Sequence, residues 1–155
     1  MIEALRDRGV KTCEITLHVG PGTFQPVRTE RVEEHIMETE CFEISEQAAG
    51  EINQALSDGR RVIAVGTTSA RTLEHAALEH SGRISPGRGE TNLFILPGFK
   101  FHAINGLITN FHLPQSTLLM LVSALGGREF LLRAYHHAVA GRYRFYSYGD
   151  CMLIL

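Results

Sequence analysis

Cysteine, lysine and long apolar runs are all scarce in this 155-residue chain. The three cysteines, Cys13, Cys41 and Cys151, are too few and too scattered for a disulfide framework or a Cys-x-x-Cys metal site. No stretch approaches the roughly 18 apolar residues of a membrane-spanning helix. The first eight residues are charged from Glu3 onward and lack the apolar core of an export signal. Neither sign of charge dominates: 15 basic against 17 acidic residues leave a formal net charge of -2. That balance excludes a polycation binding nucleic acid by bulk charge, and equally an acidic disordered tail. These absences lead to the expectation of a reduced, cytoplasmic protein with no membrane anchor and no metal. Thirteen of the 15 basic residues are arginine, against only Lys11 and Lys100. Arginine makes planar, bidentate contacts to phosphate and carboxylate, but a GC-rich coding sequence produces the same bias. Only position can give these arginines meaning.

A chain of this length, 44% hydrophobic, fits one domain that buries roughly two-thirds of its unfolded surface. The first eight residues read as the last turns of a helix closed by Gly9, as if the chain started inside an element. Cys13, Ile15, Leu17 and Val19 alternate with polar residues, the period-two pattern of a half-buried strand. Gly20-Pro21-Gly22 breaks it, residues 23–29 read as an extended loop, and residues 37–44 as a second strand. Ser45 is placed to cap a helix whose Ala48, Ala49, Ile52, Ala55 and Leu56 share a face, with Gly59 as its stop. Residues 61–65 form a short apolar strand, turned by Gly66 into a helix that ends at Gly82.

Residues 81–90 read as a polar, mobile surface loop, and 93–96, 101–104 and 107–109 as short strands. Ser116 caps a helix over 117–125 that is apolar nearly all round and therefore central. A last helix over 128–140 carries Phe130, Ala134 and Ala138 on one stripe. Strands alternating with helices predict an α/β domain with a largely parallel sheet.

Four segments carry candidate chemistry. In the first, Gly66 lets a ligand approach the end of a strand. Thr67, Thr68 and Ser69 offer hydroxyls and free N–H groups at a helix start, and Arg71, one turn on, could clamp a carboxylate or phosphate. An ordinary capped turn with a solvated arginine is the alternative. In the second, Asn110, Phe111 and His112 follow a strand, where open α/β sheets place ligands. His112 would titrate near neutrality as acid or base, and Phe111 could stack on a base or simply fill the core.

In the third, Arg142, Arg144, Tyr146 and Tyr148 interleave charge with rings, as single-stranded nucleic acid requires, and Asp150 offers a carboxylate. An amphipathic strand with its rings in the core is the competing reading, most credible for Phe145. In the fourth, Glu38 and Glu40 would share one strand face, either as interacting carboxylates or as a solvated charged edge. His136 and His137 read as surface positions.

Taken in order, these segments resemble the S-adenosylmethionine:tRNA ribosyltransferase-isomerase family of queuosine biosynthesis. The matches are residues 15–20 (ITLHVG), 22–27 (GTFQPV), 61–71 (RVIAVGTTSAR), 93–95 and 97–99. They continue through 108–114 (ITNFHLP), 116–124 (STLLMLVSA) and 143–150 (YRFYSYGD). The resemblance implies transfer and isomerisation of the ribosyl group of S-adenosylmethionine, a co-substrate. The acceptor it implies is an aminomethyl-deazaguanine at the tRNA wobble position, giving epoxyqueuosine and releasing adenine and methionine.

It further implies a Rossmann-like three-layer α/β/α domain, of which this chain is the C-terminal part. The family's N-terminal segment and inserted β-barrel have no counterpart here. On this basis His112, Asp150 and Glu40 are the catalytic candidates. Gly66, Thr67, Thr68, Ser69, Arg71, Asn110 and Phe111 are the co-substrate candidates, and Arg142, Arg144, Tyr146 and Tyr148 the RNA candidates. Position 38, usually histidine in the family, is Glu38. A half-domain of this kind is expected to self-associate or to need a separately encoded N-terminal half, and the alternative to catalysis is a module that binds tRNA or S-adenosylmethionine without turnover.

Overall fold

The computed structural model describes residues 2–20, 27, 29 and 31–155. Pro21, Gly22 and most of the expected 23–29 loop lie outside the described residues. After a short helix α1 (Ile2–Arg6), strands β1 (Thr16–His18), β2 (Glu40–Ile44) and β4 (Gly87–Thr91) form one antiparallel sheet in the order β1–β2–β4. Along β2, Glu40, Phe42 and Ile44 are buried while Cys41 and Glu43 are exposed, the alternation of a sheet with one covered face.

The mobile loop expected at 81–90 is corrected here, since its second half is β4, paired with β2 from Glu40↔Thr91 to Ile44↔Gly87. Its Gly87 and Gly89 hide it from a hydrophobic pattern, yet Gly89 is required. A Cβ there would lie 2.5 Å from Cζ of Phe42, whose ring covers the glycine.

The second sheet runs β3–β5–β6, from β3 (Ile63–Val65), β5 (Gly106–Asn110) and β6 (Cys151–Ile154). Only β3 and β5 are parallel; β5 and β6 are antiparallel. The expectation of a largely parallel sheet is therefore overturned. Helix–strand alternation is real, but between β3 and β5 the chain leaves this sheet to place β4 in the other one. Across the second sheet, Ala64, Leu107 and Ile154 lie in register and in the core. The neighbouring row of Val65, Ile108 and Leu153 faces the other way, leaving Val65 67% and Leu153 56% exposed. The strands expected at 93–96 and 101–104 are irregular, although Ile95, Ala103 and Ile104 are buried.

Helix α2 (Glu46–Ser57) starts as expected, with Ser45 Oγ accepting the Ala48 N–H, and buries Ala48, Ala49 and Ile52. Helix α3 (Thr67–Glu79) follows Gly66, and α4 (Thr117–Gly126) is capped by Ser116, whose Oγ accepts the Leu119 N–H. In α5 (Arg128–Ala140) the buried stripe is Leu131, Tyr135 and Ala138 rather than Phe130, Ala134 and Ala138. An i, i+4, i+7 stripe follows the helical repeat more closely than i, i+4, i+8, and so Phe130 turns outward. No helix among the described residues is long and apolar enough to cross a membrane.

Candidate active site

The parallel pair β3–β5 brings two carboxyl ends side by side. The Gly66 N–H donates to the Ile108 carbonyl, joining the end of β3 to β5. Gly66 holds φ at +91°, a conformation costly for any side chain, and starts α3 with no side-chain cap. The first turn is then Thr67, Thr68 and Ser69, with Thr67 buried. Beside it, β5 ends at Asn110, whose Nδ2 donates to the Asp150 carbonyl at 3.0 Å. The Asp150 carboxylate accepts the Arg144 backbone N–H at 2.6 Å and its guanidinium at 3.2 Å. These bonds hold the Asp150 carboxyl below the usual carboxylate range, so it stays ionised. Thus Asn110, His112, Asp150 and Arg144 gather around the end of β5, next to the start of α3.

His112 is fixed from two sides. Its Nε2 lies 2.9 Å from Thr109 Oγ1, and its backbone N–H donates to Tyr135 Oη at 2.8 Å. Burial lowers its pKa to about 4, correcting the expected titration near neutrality. The ring is neutral at pH 7. It can accept a proton only transiently or act as a neutral hydrogen-bonding group.

This has a sign in stability. The unfolded chain protonates residue 112 near pH 6.5, and the folded chain only near pH 4. The contribution is therefore full above pH 6.5 and lost as pH falls towards 4, on the order of 3 kcal/mol. Urea denaturation as a function of pH should show this slope, and His112→Gln should flatten it.

Glu40 and Arg71, read separately in the sequence, form one buried ion pair in which Arg71 Nη2 donates to Glu40 Oε2. Each side chain is only 2% exposed. A solvated edge is therefore wrong for Glu40, and Arg71 clamps the protein's own carboxylate. Its Nε and Nη1 are buried without partners. Burial lowers the pKa of Arg71 and Glu40 opposes the shift. Glu38 is exposed.

Phe111 takes the core option. It is 4% exposed, stacked at 5.0 Å on Phe145 and edge-on to Tyr135 and Tyr143. Arg142, Arg144, Tyr146 and Tyr148 are all exposed, and Arg142 and Tyr146 hold φ at +56° and +61°. His136 and His137 are on the surface. Among the described residues no group of three His, Cys, Asp or Glu side chains is placed to hold a metal.

Sequence reasoning missed Thr109, Tyr135 and Glu74. Glu74 is fully buried and accepts the N–H groups of His102, Ala103 and Ile104 at 2.7–2.9 Å, fixing the approach to β5. Its signal was a charge one residue from Leu73 and two from Ala76, inside the helix that follows Gly66.

Comparison with known proteins comes to the same region of sequence space. A family model described as queuosine biosynthesis protein matches residues 1–154. The chain is 57% identical over 155 residues to an S-adenosylmethionine:tRNA ribosyltransferase-isomerase of Syntrophotalea carbinolica, covering all of this chain and 45% of that protein. A protein of the same name from Desulfitobacterium hafniense is also 57% identical over the same spans. Among solved structures, an S-adenosylmethionine tRNA ribosyltransferase from Thermotoga maritima aligns with a TM-score of 0.79 at 40% identity, over 99% of this chain and 48% of that one. The chain thus spans about half the length of the relatives it matches.

Proposed function

The chain belongs to the queuosine biosynthesis protein family, and from that premise we propose that it carries part of the active site of a ribosyltransferase-isomerase. The reaction moves the ribosyl group of S-adenosylmethionine onto the aminomethyl-deazaguanine at the wobble position of tRNA. A base removes a proton beside the sulfonium, adenine leaves, the exocyclic amine attacks, and rearrangement with loss of methionine gives epoxyqueuosine. The observation that carries this reading is the gathering of His112, Asp150 and Asn110 at the end of β5, beside the uncapped start of α3.

In this reading the free N–H groups and hydroxyls of Thr67, Thr68 and Ser69, after Gly66, receive the methionine carboxylate. Asp150, ionised and held by Arg144, faces the sulfonium charge or the proton beside it. His112, neutral and held by Thr109, exchanges the proton with adenine or the amine. Arg71 orients Glu40 from within the core, and Arg142, Arg144, Tyr146 and Tyr148 meet the RNA. A Rossmann-like three-layer arrangement belongs to the same proposal: further chain would cover the open row of Val65, Ile108 and Leu153. That cover would come from an N-terminal half, in the same polypeptide or in another, or from self-association, in the cytoplasm where tRNA is modified.

The test is adenine release from S-adenosylmethionine by the purified chain, with precursor-bearing tRNA as acceptor and a full-length relative as control. Adenine in proportion to acceptor consumed supports catalysis by these residues. If the control is active and the chain is not, alone or with an N-terminal half supplied in trans, the catalytic reading fails for this chain.

A further inference from the structure

Outside the site just described, the outward face of α5 holds an unexplained surface. Phe130 is 64% exposed and Tyr143 45% exposed. Between them is a cavity of about 410 Å³, floored by Phe111 and Met152 and edged by Arg133 and His137. The Arg133 guanidinium lies 5.5 Å from the centroid of the Phe130 ring, and the His137 ring 6.3 Å from that of Tyr143. Each exposed ring is therefore accompanied by a nitrogen-bearing group that can donate hydrogen bonds.

One arginine, Arg133, lines this cavity, and the chain around it is rich in the same residue. From residue 128 to 150 there are four arginines, Arg128, Arg133, Arg142 and Arg144, against two carboxylates, Glu129 and Asp150, of which Asp150 is paired with Arg144. All four arginines are exposed. A surface that buries itself against another protein is depleted of charge at its centre. One that takes a single strand of nucleic acid combines rings for the bases with arginines for the phosphates. The α5 surface has the second composition, and it runs directly into the Arg142–Tyr148 segment.

We propose that the cavity between Phe130 and Tyr143 is a nucleobase-binding subsite for single-stranded RNA. One unpaired base stacks on Phe130 or Tyr143 while Arg133 meets the adjoining phosphate and His137 a base edge. The subsite rests on the tRNA reading above and extends it from the segment after α5 to α5 itself. Phe111, closed off from substrate, takes part as the floor that keeps the cavity open.

The experiment measures binding of the full 155-residue chain to a fluorescein-labelled oligoribonucleotide of about a dozen unpaired residues, by anisotropy at several salt concentrations. Phe130 is exposed, so its replacement should leave the far-UV circular dichroism unchanged. Phe130→Ala is expected to weaken binding about ten-fold. Phe130→Trp should restore it, and because the chain has no other tryptophan, RNA should quench the new indole emission. Arg133→Ala should weaken binding and reduce the salt slope by about 0.7, the value of one phosphate on a single strand. Arg60→Ala, on a surface ion pair with Asp58, should change nothing.

Failure of the folded parent to bind overturns the subsite. So does parent-like binding by Phe130→Ala and Arg133→Ala. If those two bind normally but Arg142→Ala does not, RNA binding stands and only the α5 subsite is lost. If Phe130→Ala instead turns an associated chain into a monomer in light scattering, with RNA affinity unchanged, the surface is a protein interface. Adenine release by a full-length relative is a separate reading, so the subsite and the proposed reaction can fail independently.

Discussion

Replacing Glu74 with alanine should lower the unfolding free energy by about 3–5 kcal/mol, a large part of the total expected for one domain. The carboxylate accepts three successive backbone N–H groups, from His102 to Oε2 and from Ala103 and Ile104 to Oε1. Alanine would leave Ala103 and Ile104 buried with unpaired donors, each a desolvation cost that water cannot offset. Glutamine is a graded control. Its Oε1 can keep two of the bonds, but its NH₂ would then face the third donor, so its loss should be clearly smaller than that of alanine. Urea denaturation followed by far-UV circular dichroism gives both values. Equal midpoints for the alanine variant and the parent would show that the 102–104 amides find other acceptors.

The second large effect concerns the Glu40–Arg71 pair, and here the two single replacements should be unequal. Glu40→Leu leaves a buried guanidinium whose Nε and Nη1 are already unpaired and removes the acceptor from its Nη2. Uncompensated charge of this kind costs about 3–5 kcal/mol. Arg71→Met removes the Arg71 bond to Glu40 but also removes two buried unpaired donors, and the second change offsets part of the first. It should therefore cost less than Glu40→Leu. The double variant should be more stable than Glu40→Leu alone, because an apolar pair needs no desolvation of charge. Additive losses in the double variant would mean that the pair has no coupling and would sink this account.

Much of the local structure was legible because it rests on short-range rules. Ser45 and Ser116 announced the starts of α2 and α4 through capping chemistry, and Gly59 and Gly82 the ends of α2 and α3. Gly66 marked the end of β3, where φ is positive. Pairing was not legible. Nothing within residues 87–91 announces a strand, because its partner supplies the pattern: Phe42 on β2 needs Gly89 opposite. The parallel-sheet expectation failed for a related reason. An alternation of strands and helices does not say in which sheet each strand lands.

The candidate site divides in the same way. Asn110, His112 and Asp150 were singled out because their types, and for Asn110 and His112 the strand end beside them, are local signals. The Glu40–Arg71 pair, the Thr109 and Tyr135 supports of His112, and the Glu74 clamp are contacts between residues distant in sequence or masked by apolar neighbours. His112 illustrates the limit most directly. Residue type alone suggested titration near neutrality, whereas its burial, a tertiary property, lowers the pKa to about 4.

The weaving of the chain between two sheets also sets the order in which it can fold. Strand β2 waits for β4, and β3 waits for β5, each across at least 40 residues of intervening chain. A nascent chain that has emerged only as far as Gly82 can therefore pair β1 with β2 and nothing more. Beyond the β1–β2 pair, entropy must be spent on closing each long loop before the remaining strands return any stabilisation, which favours slow folding. The strand Cys151–Ile154 completes its sheet from the far side of β5. Until it pairs, β5 presents an open edge on which another copy of the chain could add a strand.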